Sequence, residues 1–357
     1  MTVQNGDTQR APLAYRKVIL ATIVLTTIVL LFYGLGKQRA EFRWDLFLST
    51  FSNIHWGWFA ASLAFAVSTY LGRAIRWQVM IRPVRRQASL WNLFVATVIG
   101  FTAIVFFGRP GEIVRPYLIA QKENVSLSSQ LAAWLLERIY DLLCVLFIFG
   151  FALSQVRHTS TEAGSSMEWI LRTGGHFVGI LGTVCLAVLI AFGLFPNFVE
   201  KRLLGALSIL PEKFQTRVSE VTKAFLSGTS STRNRGFVFQ LVCYSFAEWL
   251  LIVLCVQCLL LAFPATAHMG MIDAIVVVGF VAFGGVVQIP GVGGGMQVAT
   301  VLVLTELFRI PLEIAGGVAI LVWFITCLAI VPLGVALAVH DGLKWRNLLN
   351  IREMKQP

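Results

Sequence analysis

Phe106-Phe107-Gly108-Arg109-Pro110-Gly111-Glu112-Ile113-Val114-Arg115-Pro116-Tyr117-Leu118-Ile119-Ala120 decides how this chain folds. It follows residues 93–107, an apolar run suited to a bilayer, and interrupts it with two Gly, two Pro, two Arg and one Glu. Backbone polar groups at membrane depth must be satisfied internally. Irregular, charged chain therefore persists there only against protein or a watery cavity. A second break of this kind lies far downstream, Gln288-Ile289-Pro290-Gly291-Val292-Gly293-Gly294-Gly295-Met296-Gln297. The expectation is that the two breaks face each other.

Working outward, the composition agrees with a membrane setting. Of 357 residues, 57% are apolar and 13% charged, too apolar for a soluble domain of this size. Several runs reach the roughly 18–20 apolar residues that cross a bilayer. Net charge is +11, read here as a mark of the cytoplasmic face rather than of a nucleic-acid surface. The six cysteines all sit in apolar runs and read as reduced packing residues. Cys255-x-x-Cys258 has no further ligand beside it.

Charge placement sets the topology. Were residues 93–107 to cross fully, the basic stretch 201–235, with Lys201, Arg202, Lys213, Arg217, Lys223, Arg233 and Arg235, would face outward. That violates the positive-inside rule. If the run instead dips in and returns, every basic cluster falls inside. The sequence thus predicts a re-entrant hairpin over 91–120 that opens to the cytoplasm. Full spans are expected at 18–33, 56–77, 131–153, 176–195, 237–263 and 315–339. An amphipathic interfacial segment is expected at 37–51. Segments 272–289 and 298–308 read as a second hairpin, opening outward. The fold class is all-α and polytopic, with about six full spans plus two re-entrant helical hairpins. Repeats at 56–153 and 237–339 are expected in inverted arrangement, a transporter architecture. Residues 1–17 form a cytoplasmic tail, 18–343 the membrane domain, 197–235 a cytoplasmic loop and 344–357 a second cytoplasmic tail.

Five constellations stand out. Arg109, Glu112 and Arg115 sit on the glycine-broken turn, where two guanidinium forks can hold a phosphate; the bland alternative is a set of interfacial loop charges. Glu137 and Asp141 are four apart on one helix face, with Arg138 between them. They read as ion-pair partners of Arg109 or Arg115, or as groups reaching interfacial water. Arg73 and Arg76, near a helix end, read as snorkelling anchors. Gln288, Gly293, Gly294 and Gln297 frame the tip of the second break, as headgroup donors or as a helix-packing site. Glu248 is a lone carboxylate near mid-span, a functional candidate or a structural hydrogen-bonding group. His176 and His340, at span ends, read as interfacial. No cluster has metal-ligand spacing, no nucleophile set stands out, and no cofactor is implied.

The residues Phe107-Gly108-Arg109-Pro110-Gly111-Glu112-Ile113-Val114-Arg115, then Glu137-Arg138-x-x-Asp141-Leu142-Leu143, then the Pro–Gly–Gly break before a late helix, resemble the lysylphosphatidylglycerol synthase transmembrane-domain family of bacterial inner-membrane proteins. The resemblance covers roughly residues 15–340. It implies lipid translocation between leaflets, or a role beside lipid-linked glycosylation. Two features depart from it. Gln297 stands where the family commonly has Glu, and the aminoacyl-transferase domain of its longer members does not follow. Synthesis of lysyl-phosphatidylglycerol is therefore not expected, and the chain reads as a non-enzyme. The expected function is a flippase-like carrier that moves an anionic lipid headgroup through a cavity between two hairpins, in a bacterial inner membrane with both termini cytoplasmic. The alternative is a membrane scaffold that presents a lipid-linked intermediate to a separate enzyme such as a glycosyltransferase. An enzyme using Glu112 or Glu137 as base is disfavoured, because no His or metal set accompanies them.

Overall fold

The computed structural model describes residues 42–159, 180–181, 235–285, 288–291 and 293–342. The expected span at 18–33, that at 176–195 apart from residues 180–181, the loop at 197–235 except its last residue, and both tails lie outside the described residues, as do His176 and Cys185. Two compact units divide the chain, Met1–Leu48 and Ser49–Pro357. Of the first, the described residues are 42–48, which open helix α1 (Trp44–Ser52) and hold an exposed Arg43–Asp45 pair at 3.2 Å. All remaining elements belong to the second.

Helix α2 (Trp56–Ile81) is followed by α3 (Leu90–Phe107), whose start is capped by the Ser89 side chain accepting from the Asn92 N–H. The helix stops at Gly108, with φ 67° and ψ −146°, a conformation closed to residues with a Cβ. A 3-10 turn (Arg109–Ile113) and helix α4 (Val114–Glu123) follow. Helix α4 runs back along α3. A Cβ at Gly111 would sit 2.5 Å from the Ala103 carbonyl oxygen, and one at Gly100 would sit 2.6 Å from the Cβ of Arg115. At the open end, Asn92 Nδ2 donates to Glu123 Oε1 at 2.8 Å. The hairpin is therefore closed along its length, and the chain leaves it on the side where it came in.

Helix α5 (Leu127–Thr159) completes the first group. Helix α6 (Arg235–Leu261) begins the second. Helix α7 (Met271–Gly284) leads into the second break, where a two-residue ladder of β1 (Gln288–Ile289) and β2 (Gly293–Gly294) pairs Gln288 with Gly294. Helix α8 (Gly295–Glu306) folds back, with Gly284 set against the Gly295 carbonyl and 2.7 Å from the Cβ of Ala299 if it carried one of its own. Helix α9 (Leu312–Trp323), a π-helical turn (Phe324–Leu328) and α10 (Val331–His340) end the group.

The two groups pack by exchange. The first helix of each lies against the first of the other (α2 with α6). The hairpin of each lies against the last helix of the other (α3 with α10, α7 with α5). Lipid offers no hydrophobic drive between helices, so close approach by small residues and backbone-directed bonds carries the association. Ser62 Oγ donates to the Cys255 carbonyl at 2.7 Å across α2 and α6. A Cβ at Gly279 would stand 3.2 Å from that of Ala152 across α7 and α5, and Gly334 presses on Thr102 across α10 and α3. Among the described residues, three helical stretches are long and apolar enough to cross a membrane: Leu90–Phe107, Phe239–Leu261 and Leu312–His340. The protein is an all-α membrane protein.

Candidate functional site

The two breaks meet. The Gly291 N–H donates to the Val105 carbonyl at 2.8 Å. Pro290 Cγ lies 3.0 Å from where a Gly108 Cβ would stand. Arg109, half-exposed, bridges the two: Nη1 donates to Glu112 Oε1 at 2.7 Å and Nη2 to the Gly285 carbonyl at 3.1 Å.

Below the first break the charges are largely buried, Arg138 being the exception at 35% side-chain exposure. Helix α4 starts so close to Gly100 that the Arg115 side chain is directed inward, where its guanidinium lies 4.2 Å over the Trp77 ring. Arg115 Nη1 donates to both oxygens of Glu137 at 3.0 Å, and Nη2 donates to the Arg73 carbonyl. Glu137, on α5, also accepts from Arg76 Nη2 at 2.6 Å and from Arg138 Nη2 at 3.3 Å. Arg76 Nη1 donates to Asp141 at 2.6 Å and to Ser245 Oγ at 3.0 Å, and stands 3.2 Å from Glu248 Oε2. Arg138 reaches Asp141 at 3.2 Å. The other oxygen of Glu248 lies 2.8 Å from Arg73 Nη2, yet neither Glu248 oxygen is in line with an N–H bond. Four guanidiniums thus face three carboxylates, drawn from α2, α4, α5 and α6. In a low-dielectric interior such charges persist only in mutual compensation.

Against this network lies a cavity of about 230 Å³ between the two helix groups. Arg73 and Tyr70 of α2, Phe101 and Val105 of α3, Trp249 of α6 and Met296 of α8 are on its wall. The π turn is there too: Thr326 and Cys327 face the cavity, and the Thr326 carbonyl accepts from the Tyr70 hydroxyl at 3.0 Å. Single π turns inside helices are frequent at functional sites.

The structure gathers Arg115, Glu137, Arg138, Asp141 and Glu248 into one network, as ion-pair partners. Arg109 stands apart from them, half-exposed and paired with Glu112, whose carboxylate is largely buried and lies within electrostatic reach of Arg138. Of the two pairings expected for Glu137, that with Arg115 is present; Arg109 is paired with Glu112 instead. Gly293 and Gly294, with φ of 96° and 133°, form the ladder. Gln297 accepts from the Gly294 N–H at 2.7 Å and so closes the start of α8. The backbone of Gln288 pairs with Gly294, and its side chain lies outside the described residues.

Two residues were misread from the sequence. Arg76 is no snorkelling anchor: it is 1% exposed and sits at the centre of the network. Arg73 joins it by pairing with Glu248. Their position near a helix end argued for water, because the tertiary cover supplied by α4, α5 and α6 leaves no local trace. The usable signal was Glu248 itself, since a mid-span carboxylate requires a cation and two arginines one turn apart were available. His340 is exposed at the end of α10. Cys144, Cys243, Cys255, Cys258 and Cys327 are free thiols, of which Cys243 is exposed rather than packed.

A family model described as the lysylphosphatidylglycerol synthase TM region matches residues 18–334. The chain is also 26% identical over 168 residues to a protein of Haloferax volcanii named Glycosyltransferase AglD, a match that covers 47% of this chain and 26% of that one. The chain thus spans about a quarter of the length of that relative. No solved structure matches.

Proposed function

This chain belongs to the lysylphosphatidylglycerol synthase TM-region family, and we propose that it is a carrier moving a lipid with an anionic headgroup between membrane leaflets. The observation that supports this most is the meeting of two glycine–proline breaks, Val105 against Gly291 and Gly108 against Pro290, beside a cavity shared by both helix groups. Broken helices that meet at a cavity are how transporters bring irregular backbone to membrane depth. In this reading the two hairpins are re-entrant and the groups 56–153 and 237–339 are inverted repeats, within about six full spans. The location is a bacterial inner membrane with both termini cytoplasmic. Arg109 and Glu112 gate the meeting point, where Gly293, Gly294, Gln288 and Gln297 shape the opposite lip. Arg115, Glu137, Arg138, Asp141 and Glu248 form the charged layer behind Arg73 that holds the cavity wall in place. The protein performs no catalysis itself.

The test is to reconstitute the full chain in vesicles of defined composition and follow how fast labelled phosphatidylglycerol and phosphatidylcholine become accessible from outside. Protein-dependent equilibration of the anionic lipid is expected. Identical time courses with and without protein, for all lipids tried, would sink the carrier reading.

A second reading is a scaffold that presents a lipid-linked intermediate to a separate glycosyltransferase. It is favoured by the name of the archaeal relative, whose greater length leaves room for a further domain. It requires co-purification with such an enzyme, and lipid movement that is indifferent to Arg109→Ala.

A further inference from the structure

Arg73 is the one ionisable side chain, apart from Tyr70 and the thiols Cys255 and Cys327, on the described wall of the cavity. Its guanidinium lies 4.7 Å over the Phe101 ring, which also faces the cavity, and its side chain is 14% exposed. On its other side stands Glu248, buried, at 2.8 Å. That contact is short but carries no aligned hydrogen bond. Glu137 and Asp141 take aligned hydrogen bonds from Arg76, whereas the Glu248 oxygens take none. Glu248 also has somewhere to go, since its second oxygen is already 3.2 Å from Arg76. The cavity, at about 230 Å³, is below the roughly 300–1,000 Å³ usual for a whole small-molecule ligand. It is the size of a headgroup rather than of a lipid, and its remaining wall is largely apolar.

We propose that this cavity is a binding site for a singly charged phosphate diester, with Arg73 the residue that contacts the anion and Glu248 the internal counter-ion that it displaces toward Arg76. The site rests on the carrier reading for its role, though not for its chemistry. Without ligand, Glu248 supplies the counter-charge to Arg73 from behind the cavity wall. With ligand, the phosphate takes over that pairing. A zwitterionic headgroup brings no net charge and gains less. Arg73 forms the strong bond, because hydrogen bonds to charged groups in a desolvated site exceed neutral ones.

The test is binding of defined lipids to the purified full chain in detergent, read by native mass spectrometry. The probes are phosphatidylglycerol and phosphatidylcholine of the same chain length, with sodium phosphate and glycerol phosphate as soluble competitors. Phosphatidylglycerol should be preferred, and Arg73→Gln should weaken it by about ten-fold or more. Glu248→Gln, which keeps shape and removes the competing charge, should tighten it. A purely structural pair predicts the same sign for both substitutions, namely loss. Should Arg73→Gln not fold, Arg73→Lys and Glu248→Gln still give opposite signs under the proposal. Equal binding of the two lipids by the native chain, or weaker binding by Glu248→Gln, overturns it. Competition by the soluble phosphates that depends on Arg73 supports the anion site and assigns it a soluble source. Indifference to them, with the lipid preference intact, supports it and assigns a lipid. Selective binding with no movement between leaflets leaves the site standing and removes the carrier; movement unaffected by Arg73→Gln does the reverse.

Discussion

The two breaks of this protein reach the same place by different means. The first, Gly108 to Ile113, is anchored by charge: the helix that it starts carries Arg115 into a network with Glu137, Arg76 and Arg138. The second, Gln288 to Gly295, holds no ionised side chain and is fixed by backbone. It has a two-residue ladder, a glycine pressed on a carbonyl, and Gln297 closing the start of α8. The difference teaches that irregular chain inside a membrane protein can be satisfied in two currencies. Charged anchoring is strong but requires every partner. Backbone anchoring is spread over small residues, none of which dominates. Where the breaks touch, the contact is of both kinds, with Gly291 donating to Val105 and Arg109 donating to Gly285.

The largest effect should come from the charged side. Glu137→Ala leaves Arg76, Arg115 and Arg138 facing one another with a single compensating partner removed from all three. Loss of one member of a buried ion network costs about 3–5 kcal/mol, enough to abolish accumulation of the folded protein. Glu137→Gln keeps two acceptor-sized positions and should cost less, while still leaving the cations under-compensated. The measurement is the thermal unfolding midpoint in detergent, alongside yield. If Glu137→Ala unfolds within a degree of the native chain, the first break is not anchored by charge.

Next come the glycines, one on each side. Gly111→Ala places a methyl 2.5 Å from the Ala103 carbonyl oxygen, and Gly284→Ala places one against the Gly295 carbonyl and 2.7 Å from the Cβ of Ala299. In both, backbone rather than a flexible side chain must give way. Over-packing of this kind costs about 1–3 kcal/mol. The comparison sharpens if the two differ. The first hairpin is also clamped at its open end by Glu123 with Asn92, so Gly111→Ala should open its tip without releasing α4. Hydrogen–deuterium exchange over residues 114–123, unchanged in Gly111→Ala, would show this; faster exchange there would refute it.

How much of this was legible beforehand follows from the same contrast. The breaks themselves were plain, since Gly, Pro and charge in an apolar run have few structural uses. Their meeting followed from reading the breaks as two halves of one device, and the structure brings Val105 against Gly291. For Glu137 and Asp141 the sequence left open pairing with Arg109, pairing with Arg115, or contact with interfacial water; the structure selects Arg115 for Glu137. Arg73 and Arg76 were not foreseen. A helix end next to Arg82, Arg85 and Arg86 reads as an interface, and only packing against three other helices buries it. Gln297 was read as a headgroup donor, yet it caps a helix. An amide three residues past a glycine can serve either purpose, and the choice is made by where the Gly294 N–H points.

Two smaller effects separate structure from function. Gln297→Ala removes the acceptor for the Gly294 N–H at the start of α8, a cap worth about 1 kcal/mol; Gln297→Glu keeps the acceptor and should restore stability fully. Arg109→Ala comes last. Its pair with Glu112 is half in water, and exposed pairs contribute about 0–1 kcal/mol, so the unfolding midpoint should hardly move. Its second bond, to the Gly285 carbonyl, is different in kind because it ties one break to the other. Removing it should change the rate at which labelled phosphatidylglycerol equilibrates across reconstituted vesicles, with Glu112→Gln changing it less. A stable Arg109→Ala protein with native lipid movement would reduce this bond to a surface contact. A stable protein with altered movement would assign it to the step in which the breaks part. The smallest expected loss of stability thus carries the most information about whether the two breaks, held so differently, work as one device.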